Sequence, residues 1–348
     1  MPPKRRGNSA DDGALVEVKR QRMEGAVVPS TGKPAMQGPK RTSALMAPNM
    51  LLTGHSDQIF TVRFNPSGDV FASGSHDKNI FLWRTYGECE NYMVLNGHKN
   101  AVLETHWLAD GETLVSCSAD KTVRAWDALT GEETGKLSEH KAIVNSCYPL
   151  LRGSPLVVTG SDDCTVRLWD MRSRRSVREF SEKFPVTSVA FSTAGDQIFT
   201  GGVENVIRAW DLRRDEATFT MKGHSDTITG MKLNPAGTHL LTNSMDNTLR
   251  SWDVRPYAPE ERCVRVFTGH QHGFEKNLLR CDWSPDGSMV AAGSSDRMTY
   301  LWDALTCEIK YALPGHKGSV NEVVFHPKEP IIASGSSDKT IFLGELVE

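Results

Sequence analysis

Six tryptophans recur at a nearly constant interval. Trp83, Trp126, Trp169, Trp210, Trp252 and Trp302 are separated by 43, 43, 41, 42 and 50 residues. A fixed period of this size marks supersecondary units that bury their apolar faces only by stacking on one another. Gly344 lies 42 residues beyond Trp302, within Thr340-Ile341-Phe342-Leu343-Gly344-Glu345. That segment matches the earlier ones except for the missing indole, so seven units fit.

Three further markers keep step with the tryptophans. Gly-His pairs stand at 54–55, 97–98, 223–224, 269–270 and 315–316, with Glu139-His140 as a variant. His55, His98 and His224 each precede the tryptophan of their unit by 28 residues, and His316 precedes Gly344 by 28. The offset is 29 for His140 and 32 for His270, so the sixth unit carries a small insertion. The fourth unit has no histidine and reads Ser181-Glu182-Lys183-Phe184 in that region. An acid stands six residues before each tryptophan position: Asp77, Asp120, Asp163, Glu204, Asp246, Asp296 and Asp338. Ten before it come Ser73, Ser116, Thr159, Thr200, Thr242, Ala292 and Ser334.

Between the markers the chain reads as short strands. Ile59–Phe64 and Val320–Phe325 are rich in β-branched and aromatic residues with partial alternation. Asn65-Pro66-Ser67-Gly68, Asn234-Pro235-Ala236-Gly237 and Ser284-Pro285-Asp286-Gly287 suit type I turns. Four strands per unit and about 43 residues per unit over 51–348 predict an all-β chain. The expected architecture is a seven-bladed β-propeller over 47–348, behind a disordered basic tail over 1–46. With its G-H…W-D signature, the sequence resembles the WD-repeat family. Residues 49–53 are expected to pair with 339–346 and close the ring, which would remove an exposed sheet edge.

Recurring His, Ser and Asp suggest a hydrolytic triad, but a nucleophile needs one activated site rather than a copy in every unit. The WD-repeat resemblance implies instead a hydrogen-bonded tetrad inside each blade. The chemistry suits it: a buried indole N–H needs an acceptor, and a hydroxyl can accept from it while donating onward to imidazole. Complete sets are Trp83/Ser73/His55/Asp77, Trp126/Ser116/His98/Asp120, Trp169/Thr159/His140/Asp163 and Trp252/Thr242/His224/Asp246. The fourth, sixth and seventh blades lack a member and are expected to depend more on packing. No catalytic residue, cofactor site or metal site is expected.

Other signals are weaker. Gly131–Lys136 has three residues between its glycines where a phosphate loop needs four. His270-Gln271-His272 lacks a second ligand pair of matching spacing. Seven scattered cysteines without C-x-x-C suit a reducing compartment. Residues 1–45 carry a net charge of +5 and the rest −8, so the body lacks the basic footprint of a domain that coats nucleic acid. There is no apolar run long enough to span a membrane and no apolar stretch behind the first charges, so neither a membrane span nor a secretory signal is expected. Lys4, Arg5 and Arg6, then Lys19, Arg20 and Arg22, have the spacing of a bipartite nuclear import signal.

Asp170, Asp211 and Asp253 with Arg172, Arg213 and Arg255 complete three W-D-x-R strings. These resemble the box by which some WD-repeat proteins serve as substrate receptors of cullin-4 ubiquitin ligases. The repeat alignment also points to exposed partner-binding positions: Phe60, Asn145, Thr187, Thr229 and Asn321 in first strands, and His76, Asp162 and Met245 before the turn acids.

Several stretches exceed the needs of a generic blade: 18–22, 47–52, 144–149, 255–264, 274–281 and 325–332. In them the chain resembles the WD-repeat subunits of the U5 small nuclear ribonucleoprotein. That resemblance implies a nuclear, non-catalytic scaffold for pre-mRNA splicing. It would be a monomeric propeller beside the large U5 scaffold protein, with any RNA contact indirect or through the tail. Glu260, Glu261 and Lys276, in the extension and insertion around blade six, are the expected partner-facing edge.

Overall fold

The computed structural model describes residues 41–214 and 216–346. Among them lie 28 strands in seven four-stranded antiparallel sheets, one per unit of the sequence period. In blade one the strands are Ile59–Phe64, Val70–Ser75, Ile80–Arg84 and Asn91–Leu95, here called a to d. First strands of neighbouring blades touch around the ring, so strand a lines the axis and strand d forms the rim. Burial follows that order. Strand a of blade three, Val144–Pro149, is buried throughout, whereas strand d of blade two, Glu133–Leu137, is mostly exposed.

The core is the set of walls between blades. Trp126 of blade two, for example, shares one apolar cluster with Ile80, Leu82 and Leu95 of blade one and Leu114 of its own sheet. No blade has a core without its neighbours, which is why the period had to repeat around a closed ring.

The tight turn between strands b and c is built alike in all seven blades. Its third residue has a left-handed backbone: Lys78, Lys121, Cys164, Asn205, Asn247, Arg297 and Lys339. Such φ values are uncommon outside glycine. In six blades the preceding aspartate steadies the turn by accepting the N–H two residues on, as Asp77 does from Asn79 at 3.0 Å. Blade four is the exception, its longer Glu204 turning to Arg208 instead.

The ring closes as expected. Asn49–Thr53 forms the rim strand of blade seven, running from Asn49 opposite Gly344 to Thr53 opposite Thr340. Residues 41–46, expected in the tail, lie against blade seven. The Glu345 carboxylate accepts from Arg41 Nε at 2.7 Å, from the Thr42 N–H and from the Ser43 N–H at 2.9 Å. Leu45 is buried with Leu343 and Trp83 in the wall that joins the two ends of the chain. Carboxylate capture of consecutive amides carries no hydropathy signal, so the sequence alone did not mark this clasp.

Candidate functional site

The four complete tetrads form as the sequence predicted. In each, the indole Nε1 donates to the hydroxyl at 2.8 Å. The hydroxyl meets the imidazole Nε2 at 2.7–2.8 Å, and Nδ1 donates to the aspartate at 2.9 Å. That aspartate also accepts the N–H that follows the histidine, as in Ser56 to Asp77. Burial holds His98, His140 and His224 below the ordinary histidine range, against the opposing pull of their aspartates. Burial resists ionisation of the aspartates too, yet hydrogen bonds outweigh it and depress Asp77, Asp120, Asp163 and Asp246. All four hydroxyls are sealed from solvent. The tetrads are internal struts with no face for a substrate.

The three incomplete blades keep more polar structure than expected. In blade four Glu182 replaces the histidine: Oε1 accepts from Thr200 at 2.7 Å, and Trp210 Nε1 donates to Thr200 at 3.0 Å. Glu182 lies 28 residues before Trp210, so the histidine offset itself pointed to it. In blade six Ala292 supplies no hydroxyl, and Trp302 Nε1 donates to the Thr268 carbonyl at 2.9 Å. His270 and His272 there direct Nε2 atoms to Asn243 Oδ1 at 2.9 and 3.2 Å, which gives the pair a packing role. Burial first, then the neighbouring ring, pushes His270 down to about 3. Blade seven retains His316, Ser334 and Asp338 bonded in sequence at 2.9 and 3.0 Å, with no indole above them.

The central channel corrects the list of expected contact residues. Asn145, Thr187, Thr229 and Asn321 are buried rather than exposed. Asn145 Nδ2 donates to the Val186 carbonyl at 3.0 Å, and the Thr187 hydroxyl to the Ile228 carbonyl. The Thr229 hydroxyl donates to the Leu279 carbonyl at 2.8 Å, and Asn321 Nδ2 to the Ile59 carbonyl at 2.7 Å. In these four blades the second residue of strand a thus clasps the blade to the next. A repeat alignment finds these positions but cannot tell a channel wall from an open face.

The sequence reading missed the charges that fill this channel. Arg280 crosses it, donating to the Asn145 carbonyl at 2.7 Å and the Thr229 carbonyl at 3.1 Å, with Glu104 at 3.6 Å. Arg63 pairs with Glu322 at 2.6 Å and lies 3.9 Å from Glu104. Burial opposes ionisation of Glu104, but Arg280, His106 and Arg63 outweigh it and hold the carboxyl well below its usual range. The signal was one charged residue in several apolar first strands, a pattern visible only once those strands face one another. Glu104 also sits with Cys117 and Cys147 in a buried cluster. Burial and the Cys117 thiol push the Cys147 thiol far up, and Glu104 already accepts the Cys147 N–H at 3.0 Å. A protonated thiol beside a committed carboxylate is a poor ligand set for a cation.

What faces solvent is confined to rims and turns. His76 is exposed, pairs with Asp57 at 2.8 Å and meets Phe60 edge-on at 6.2 Å. Asp162 and Met245 are half-buried, and Asp162 accepts from Asn145 Nδ2 at 2.6 Å. Glu260, Glu261 and Lys276 are exposed, but they do not make the single edge expected of them: 254–262 joins the Asp253 and Cys263 ends of the last two blade-five strands, whereas Lys276 follows Thr268 at the opposite end. Beside them in sequence stand Tyr257, 99% exposed, and Phe274, 100% exposed, which the repeat alignment did not single out. Aromatic rings in non-repeat segments were the available sign. In the W-D-x-R strings, Arg255 folds back on Asp253, with Nε 3.0 and 3.1 Å from the two carboxylate oxygens, while Arg172 and Arg213 are exposed. Lys4, Arg5, Arg6, Lys19, Arg20 and Arg22 lie outside the described residues.

The seven units match the family described as WD domain, G-beta repeat, over residues 47–84, 89–127, 131–170, 174–211, 215–253, 261–303 and 307–343. The chain belongs to the WD-repeat family. This WD-repeat protein is 54% identical over 344 residues to the U5 small nuclear ribonucleoprotein 40 kDa protein of Bos taurus, covering 95% of this chain and 96% of that one. The Homo sapiens protein of the same name is 54% identical over 343 residues, with the same coverage. The pre-mRNA-splicing factor cwf17 of Schizosaccharomyces pombe is 43% identical over 346 residues, covering 99% of this chain and 100% of that one. The likeness therefore runs through the extensions and insertions as well as the blades.

Proposed function

We propose that this WD-repeat protein is a non-catalytic scaffold subunit of the U5 small nuclear ribonucleoprotein and supports pre-mRNA splicing in the nucleus. The carrying observation is the likeness, at 54% identity over 95% of the chain, to proteins named for that particle. The site chemistry supports it: the recurring polar quartets are internal struts, and the channel charges are paired with one another. What remains for function is a rigid disk with decorated edges, suited to holding neighbouring proteins. The large U5 scaffold protein is the expected neighbour. The exposed loop holding Tyr257, Glu260 and Glu261 at one end of the blade-five strands, and the one holding Phe274 and Lys276 at the other, are the expected contacts, with RNA met only indirectly or through the basic tail.

Affinity purification of the full chain from nuclear extract tests the assignment. U5 RNA with large splicing proteins is the expected yield, whereas a cullin with its adaptor would replace this reading with the W-D-x-R one. Charge reversals Glu260→Lys, Glu261→Lys and Lys276→Glu are expected to reduce that recovery. Unchanged recovery would remove these two loops from the contact. A reporter fused to residues 1–45 is expected to concentrate in nuclei, and a diffuse signal would count against the import role.

A further inference from the structure

Blade seven holds a cavity of about 290 Å³, lined by Thr299, Leu313, His316, Ile332, Ser334 and Phe342 among others. Its position follows from the repeat. In blade two, Leu114 lies opposite Trp126 across the b–c pair, and in blade seven Ile332 lies opposite Gly344 in the same register. Ile80 and Leu95, paired in the preceding blade, share a cluster with Trp126; their counterparts Thr299 and Leu313, likewise paired, line the cavity. The cavity is the place that a tryptophan ring fills in each of the six other blades.

The polar fittings for an indole are also present. Ser73, Ser116, Thr159 and Thr242 each bond a histidine Nε2 and accept an indole N–H. Ser334 bonds His316 Nε2 at 2.9 Å, and no indole donates to it. It is 6% exposed, and its free lone pair belongs to the cavity wall. The His316–Asp338 bond at 3.0 Å fixes the imidazole as acceptor, so the serine proton is committed and its oxygen is left to accept. Phe342 stands edge-on to His316, 86° between ring planes, whereas Phe81 of blade one lies stacked on His55 at 19°. An apolar cavity of about 150 Å³ already takes up benzene, so this one has room for a bicyclic ring.

We propose that the cavity between blades six and seven receives a tryptophan side chain from another protein. The occupant is a donor-bearing aromatic because the six sister sites define that shape and five of them define the indole-to-hydroxyl bond. A partner is the source argued for, since residues 1–40 and 347–348 hold no tryptophan that could fill it. The inference does not depend on the U5 assignment.

Full-length protein titrated with indole and with N-acetyltryptophanamide, by calorimetry, tests it. Both probes are expected to bind. 1-Methylindole, which lacks the N–H, and the variant Ser334→Ala are each expected to weaken binding about tenfold, the scale of one hydrogen bond. Gly344→Trp refills the site from within; a Cβ there meets Asn49 Oδ1 at 3.3 Å and Ile332 at 3.8 Å, so little must move. That variant is expected to melt higher and to bind neither probe. No binding at millimolar probe, or binding that survives Gly344→Trp, would overturn the proposal. So would indole binding without N-acetyltryptophanamide binding, or binding seen only after removal of residues 1–40, which would make the tail the occupant.

Discussion

Glu182 accepts the Thr200 hydroxyl proton at 2.7 Å, in the place where five other blades present an imidazole nitrogen to theirs. The carboxylate does the acceptor's share of the strut and adds an ion pair to Arg208 at 2.5 Å. Its side chain is nearly buried, so both partners lose compensation if it goes. Glu182→Ala is expected to cost about 1.5–3 kcal/mol, the range for a hydrogen bond to a charged group. Glu182→Gln keeps an acceptor for Thr200 and is expected to lose less. Urea titration measures both, and an unchanged midpoint for Glu182→Ala would contradict the role.

The tetrads give the fold an acid-sensitive term with a definite sign. His98, His140 and His224 have native pKa values below 6.5, because burial disfavours the cation. The unfolded chain therefore binds more protons than the native one as pH falls through that value, and stability drops. Asp163, held down to about 2 against burial by its hydrogen bonds, adds a loss of the same sign at lower pH. The urea midpoint is expected to fall from pH 7.5 to pH 5 with little change in slope. Asp120→Ala is expected to cost about 1.5–3 kcal/mol at pH 7.5. A midpoint that rises on acidification would refute the assignment.

The blades were legible in sequence because they are local. Each marker residue sits within about 30 positions of its partners, so spacing alone assembled the tetrads, and the same arithmetic would have found Glu182. The channel was not legible, because Arg280 and Asn145 meet across 135 residues and only the ring's closure brings them together. Asn145 and Asn321 looked exposed for the same reason: strand alternation gives a side, and the curvature of the whole ring decides whether that side is wet. The cavity at Gly344 was visible as a missing tryptophan, but that the space stays open depends on Phe342 standing edge-on to His316 in its wall, which spacing does not show.

Arg63 and Glu322 form the closest ion pair of the channel, at 2.6 Å. Burial raises the Glu322 pKa, and the neighbouring Arg63 guanidinium does most to oppose that rise. Removing one partner of a buried pair leaves an uncompensated charge, at a cost of about 3–5 kcal/mol. Arg63→Met is expected to lose stability on that scale. Arg63→Met with Glu322→Gln is expected to recover part of the loss, since the stranded carboxylate is gone. Chemical denaturation of the two single variants and the double gives the coupling. Strict additivity would show that the two side chains do not act as a pair.

The rim strand Asn49–Thr53 covers the outer edge of Thr340–Glu345, and residues 41–45 clip onto Glu345 and Glu329 beside it. A chain starting at residue 41 retains all of these contacts. One starting at residue 54 bares the blade-seven edge strand and takes Leu45 and Leu52 out of the wall between the chain ends. An unpaired edge is a template for another strand. The shorter truncation is expected to melt like the full chain and to stay monomeric in light scattering. The longer one is expected to melt lower and to associate. Equal melting and equal scattering for the two would show that the ring holds without its N-terminal strand.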